Sequence, residues 1–281
     1  MNTIPSLRAE LLRLGKWPVT WVITGVWLTL NVSFGYLFDY FTYRDAVGGG
    51  NQRLAEALLS QLSPAAVPTT MVTGLPMFGS ALILILAALA TGSGYGWNTW
   101  RTVFTQGPGR LSALGGTMLA LAVVVVVFTL LTLGTDLAAS AIVTSTAGKA
   151  LAWPGLGALA KGLGGALLIG ATWAAGGALI GILTRSPALS IGLGLVWVLI
   201  VENLLRSVAS LLGPLETVTN VLPGTAAGSL AGALGAAGDA QPGGAPGVLT
   251  VLTGTASVGL LALYLVAFVV RAALLLNRRD A

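Results

Sequence analysis

Six stretches of this chain are each long and apolar enough to cross a lipid bilayer, and that one property leaves few folds open. They lie near residues 18–38, 74–92, 112–135, 160–184, 187–205 and 249–271. About 20 apolar residues in a helix span the hydrocarbon core. Only 8% of the residues are charged, against about 25% in a soluble domain, and the mean hydropathy is +0.88. Backbone polar groups cannot stay unpaired in lipid, so the spanning units are helices or a closed barrel. Residues 82–89 and 119–133 are nearly continuous apolar runs without the alternation of barrel strands. The expected fold is therefore all-α, a single polytopic membrane domain of six transmembrane helices over residues 1–281.

The charges give an orientation. With both termini on the cytoplasmic side, that side holds nine of the fourteen Lys and Arg residues, and seven of the nine acids fall outside. The bias follows the positive-inside rule. High Gly, Ala, Val and Leu usage hints at a bacterial source, hence a bacterial plasma membrane. Residues 218–238 are also uncharged, but their Gly, Ala, Ser and Thr content makes a weak span, and a seventh crossing would put Arg271, Arg278 and Arg279 outside. They are expected to form an outer loop that dips toward the membrane. Residues 242–246, Pro-Gly-Gly-Ala-Pro, read as a turn-rich linker. The first apolar stretch follows Arg8, Arg13 and Lys16 but is too long for a signal h-region and runs into Phe38-Asp39-Tyr40-Phe41, so it is expected to be a retained span.

Cysteine and histidine are both missing from the sequence. Disulfides, thiolate nucleophiles, His-based metal sites and Ser-His relays are thereby excluded. A phosphate-cradling loop needs Gly, four residues, then Gly-Lys-Ser/Thr. The three lysines are followed by Trp17, Ala150 and Gly162, so none fits. ATP and Mg, if used, belong on another polypeptide, and no cofactor, metal or catalytic residue is expected on this chain.

Acids near the bilayer midplane would point to an ion-coupled carrier. Asp136 falls at the outer end of the third span, and Glu202 near the outer end of the fifth. Glu202 and Arg206 are four apart and so pair on a helix. They read as an interfacial ion pair that anchors the helix end, with a translocation role as the alternative. Glycine numbers 39, and Gly177 and Gly181 fit close helix packing within the subunit. Gly228 and Gly232 fall in the expected outer loop and receive no packing role.

Ahead of the first span, residues 5–17 place Leu7, Leu11 and Leu14 on one helical face, with Arg8 and Lys16 pointing elsewhere. Such a helix suits the headgroup layer, with membrane lipid as its partner. It serves either as a juxtamembrane anchor or as a mechanical coupling element. Between spans two and three, Tyr95, Trp97, Trp100 and Phe104 concentrate aromatics beside Arg101 and Arg110. Trp, Tyr and Arg dominate protein interface energies, and Trp and Tyr also form belts at membrane surfaces. Both readings stand on the residues alone.

Tyr95, Thr99-Trp100-Arg101, the run from Gln106 through Gly107-Pro108-Gly109-Arg110 to Leu111, and Thr184-Arg185-Ser186-Pro187 together carry a family resemblance. The chain resembles the permease subunits of type-2 ATP-binding-cassette exporters, which have six spans, an interfacial N-terminal helix and a short coupling helix between spans two and three. Where that family commonly has a Glu before the tyrosine, this chain has Gly94. The resemblance implies a separate ATPase subunit contacting Tyr95, Trp97, Trp100, Arg101, Phe104 and Arg110. It also implies a second permease, identical or paralogous, and outward movement of an amphipathic, drug-like, peptide or lipid substrate. Nucleic acid is not an expected partner. An ion-coupled carrier and a non-transporting scaffold or sensor remain the alternatives.

Overall fold

The computed structural model describes residues 3–96, 109–209, 213–238 and 244–278. Six of its helices are long and apolar enough to cross a membrane: α2 (Pro18–Gly48), α5 (Leu75–Tyr95), α6 (Arg110–Thr146), α7 (Leu156–Thr184), α8 (Pro187–Ala209) and α11 (Gly254–Arg278). Around them lie α1 (Thr3–Lys16), α3 (Gln52–Leu62), α4 (Val67–Thr73), α9 (Gly213–Asn220) and α10 (Pro223–Ala233). Among the described residues no strand forms, and Gly238 and Ala245 make only an isolated bridge. The chain is a multi-pass, all-α membrane protein.

Glycine sets how closely the two central helices approach. A Cβ on Gly177 of α7 would collide with the carbonyl of Leu84 in α5, and one on Gly181 would meet the hydroxyl of Thr91 and lie 2.9 Å from the Ala88 carbonyl oxygen. Without side chains there, the backbones come close enough for Thr91 to donate to the Ala178 carbonyl at 3.3 Å. Small residues gain dispersion contact where hydrophobic burial offers little, because lipid is itself apolar. On the far side of α7, Thr172 donates to the Leu261 carbonyl of α11 at 3.3 Å.

The turn from α7 to α8 is written into four residues. Arg185 closes α7 in the left-handed region at φ 54°, Ser186 caps α8 by accepting from the Leu189 N–H, and Pro187 occupies the first turn. Left-handed C-cap, Ser N-cap and early Pro are each the favoured residue or conformation at their positions.

The two longest helices outrun the bilayer furthest. At 1.5 Å per residue, α2 and α6 measure about 46 and 55 Å, beyond the ~30 Å hydrocarbon core. Helix α1 packs on the start of α6, where Gly116 lies so close to Ser6 that a Cβ would sit 2.6 Å from the Ser6 Cβ. Leu14 of α1 is fully buried and Leu7 and Leu11 pack against the core, while Arg8 and Lys16 are exposed. The ends of α2 and α6 therefore project on the opposite face, here termed distal. Helix α3 folds back on the projecting end of α2.

Three expectations from the sequence need correction. The third long helix does not end near 135: α6 continues to Thr146, and Asp136 is fully buried within the protein. Residues 218–238 are not a loose outer loop. They form the end of α9 and a buried α10, and Gly228 and Gly232 do pack: the backbone at Gly247 and Leu249 occupies the space where their Cβ atoms would be. The Leu249 N–H donates to the Gly228 carbonyl at 3.1 Å. Residues 249–253 are consumed by that contact, so the last spanning helix starts at Gly254, not 249.

Candidate functional site

The distal parts of α2, α4 and α5, with Gly235, Ala237 and residues 244–246, line a cavity of about 580 Å³, within the ~300–1,000 Å³ range of small-molecule sites. Helix α2 contributes Trp27, Asn31, Phe34, Phe38 and Asp39, spaced so that one stripe of the helix faces inward. Helix α4 contributes Thr69, Thr70 and Thr73, α5 contributes Phe78, and Gln61 of α3 and Pro246 close the distal side.

Local backbone irregularities shape the cavity. Residues Ser33–Leu37 in α2 and Leu75–Gly79 in α5 are π-helical turns, the kind of bulge that recurs at functional sites. Pro76 lies in the second of these. There the Gly79 N–H reaches back to the Gly74 carbonyl at 3.2 Å, and the Ser80 hydroxyl satisfies the Leu75 carbonyl at 2.6 Å. Gly74 and Gly79 also leave room for the Trp27 indole, whose ring atoms lie 3.1 Å from where either Cβ would be. Trp27 stacks on Phe128 with centroids 5.6 Å apart and donates its Nε1–H to the Thr132 hydroxyl at 2.8 Å.

Behind this wall lies a buried polar pair. Asn31 donates from Nδ2 to Asp136 Oδ1 at 2.5 Å, while Asp136 Oδ2 has no hydrogen-bond partner among the described residues. A buried polar atom without a partner is uncommon and calls for a reason.

Glu202 pairs with Arg206, as their spacing predicts. It is fully buried, accepting from Trp197 Nε1 at 2.8 Å, from Arg206 Nη1 at 3.5 Å and from the backbone N–H of Gly224. Arg206 also donates to Asn203 Oδ1 at 2.6 Å and to the Thr225 hydroxyl at 3.2 Å. Gly224 lies in the first turn of α10, so Glu202 meets the positive end of that helix dipole. A Cβ on Gly224 would overlap the carboxylate. The pair tethers the inserted α10 to α8.

On the opposite face, Tyr95 lies under the guanidinium of Arg185, 5.5 Å from ring centroid to Cζ. Arg110 donates to the Asn277 carbonyl at 3.5 Å, a favourable place for a cation because the C-terminal end of a helix carries partial negative charge. Arg13 of α1 pairs with Glu10 at 2.6 Å and donates to the Ala90 carbonyl of α5 at 2.9 Å. Trp97, Trp100, Arg101 and Phe104 lie outside the described residues. Sequence reasoning missed the distal cavity. Its one legible signal was the series Trp27, Asn31, Phe34 and Phe38 on one face of the first span, with spacings of four, three and four.

No family model and no curated protein matches this chain.

Proposed function

We propose that this chain is the permease subunit of a type-2 ATP-binding-cassette exporter, working as a homo- or heterodimer with a separate ATPase in a bacterial plasma membrane, both termini cytoplasmic. The observation that carries the reading is how the described residues on either side of 97–108 are held. One flank, Tyr95, is tied through Arg185 to the α7–α8 turn, and the other, Arg110, is tied to the end of α11. A push by an ATPase on this segment would reach α5, α6, the α7–α8 turn and α11 together. Helix α1 supplies a second lever on the same face through Arg13 and the Ala90 carbonyl. ATP-driven closure would change how two permeases pack, and the distal cavity would hold an amphipathic, drug-like, peptide or lipid substrate on its way out.

Topology is tested with introduced cysteines, since the chain has none of its own. Ser60 is exposed on α3, and a Ser60→Cys variant is expected to react with an impermeant maleimide in intact cells. Labelling of Thr105→Cys in place of Ser60→Cys would invert the orientation and remove the ATPase contact from the cytoplasm.

The buried Asn31–Asp136 pair favours a second reading, an ion-coupled carrier, because such carriers hold their ion on an intramembrane acid. Asp136→Asn separates the two. In proteoliposomes with the ATPase, the exporter reading expects substrate-stimulated ATP hydrolysis and transport to persist in this variant. Transport that follows a proton gradient without the ATPase and vanishes in Asp136→Asn establishes the carrier instead.

A further inference from the structure

We infer that the distal cavity is a binding site for organic cations: a hydrophobic body carrying an ammonium or other onium centre, with Asp39 as its counter-charge. This narrows the substrate class of the proposed transport site and rests on that reading only for the direction of movement. Binding itself is a property of this chain alone.

The hydrogen-bonding groups of the cavity decide the sign of charge it accepts. Each of the three threonines already donates its hydroxyl proton to a backbone carbonyl: Thr69 to Leu234 at 3.2 Å, Thr70 to Ala66 at 3.2 Å and Thr73 to Thr69 at 2.9 Å. Only lone pairs remain to face a ligand. Asn31 has committed one N–H of its Nδ2 to Asp136, leaving its carbonyl oxygen and a second N–H, and the Trp27 N–H is committed to Thr132. Among the described lining side chains, only the Gln61 amide and the second N–H of Asn31 remain as donors. A wall in which acceptors predominate favours a positive ligand over an anion.

Charge agrees. Asp39 is the one ionisable side chain among the described lining residues, and it has no hydrogen-bond or ion-pair partner among them. The distal segment cannot neutralise it, because the sequence contains no Lys or Arg between Arg206 and Arg271. A half-buried carboxylate without a partner is costly until a cation arrives.

The walls supply the rest. Phe34 and Phe38 meet at 5.2 Å between centroids and 52° between planes, forming an aromatic corner one residue from Asp39. Ring faces attract cations, and quaternary ammonium groups are commonly bound by such rings beside an acid. Phe34 and Phe38 remain 66% and 52% exposed while lining the cavity, so the site is open along α2 to an amphiphile.

The test is equilibrium binding to the purified chain in neutral maltoside micelles, with empty micelles subtracted and no ATPase present. Tetraphenylphosphonium and tetraphenylborate have nearly the same shape and opposite charge. The wild-type chain is expected to bind the cation saturably, with the anion failing to compete. Asp39→Asn is expected to weaken cation binding at least tenfold and Asp39→Glu to retain it. Equal binding of both ions by the wild-type chain would overturn the proposal without any variant, as would full-strength cation binding by a folded Asp39→Asn chain. Either failure leaves the ATP-driven reading standing. Cation binding without ATP-dependent transport would instead keep this site and remove the exporter.

Discussion

A chain carrying Trp100→Ala and Phe104→Ala is expected to insert and fold as before but to lose its ATPase during purification in detergent. In the proposed reading these two rings are the apolar anchors through which the segment between α5 and α6 holds the ATPase. Interface hot spots of this type contribute about 2 kcal/mol or more each. Loss of two such anchors corresponds to roughly a thousandfold drop in affinity. The measurement is co-purification of the ATPase with a tagged permease, with the permease's own elution profile as the folding control. An ATPase retained at wild-type stoichiometry places the contact elsewhere and leaves the aromatics as a membrane-surface belt.

The other large effect is expected from Gly177→Leu. Its Cβ would meet the Leu84 carbonyl and lie 3.0 Å from the Leu84 Cα, and backbone cannot swing aside as a side chain can. Helices α5 and α7 must then separate, which also breaks the Thr91 to Ala178 bond. Overpacking commonly costs ~1–3 kcal/mol, and with the backbone as the obstacle a loss of at least about 3 kcal/mol is expected. Gly164 on the same helix is the control, since nothing lies within 4 Å of its Cβ position and Leu is a far better helix former than Gly. Thermal unfolding in detergent should fall sharply for Gly177→Leu and hold for Gly164→Leu. Equal stability of the two would mean that the α5–α7 seam is not the close contact that Gly177 defines.

The cavity and the Glu202 tether were only partly legible in the residues. Glu202 and Arg206 announce a pair by their spacing, but the partners that make it a tether come from far along the chain, in Gly224 and Thr225. By sequence Asp136 falls at the outer end of a span because the Leu- and Val-rich run ends just before it. The helix continues with its Thr and Ser hydroxyls satisfied by their own backbone carbonyls, as Thr135 is by Leu131 and Thr146 by Val143, and with the buried members of this stretch shielded by the rest of the protein. A hydropathy count registers such a stretch as the end of a span.

Composition and run length by themselves determined the fold class and the six crossings, because lipid imposes one rule on every residue of a span and that rule is local. Approximate boundaries followed for the same reason. Which glycines are structural, whether the small-residue segment 218–238 is loop or packed helix, and which acids are buried were decided only in three dimensions. Each depends on what stands opposite: a Leu84 carbonyl for Gly177, the 247–249 backbone for Gly228 and Gly232, an Asn31 amide for Asp136. Those partners lie 17 to 105 residues away, and no local pattern records which of them the packed bundle brings into contact.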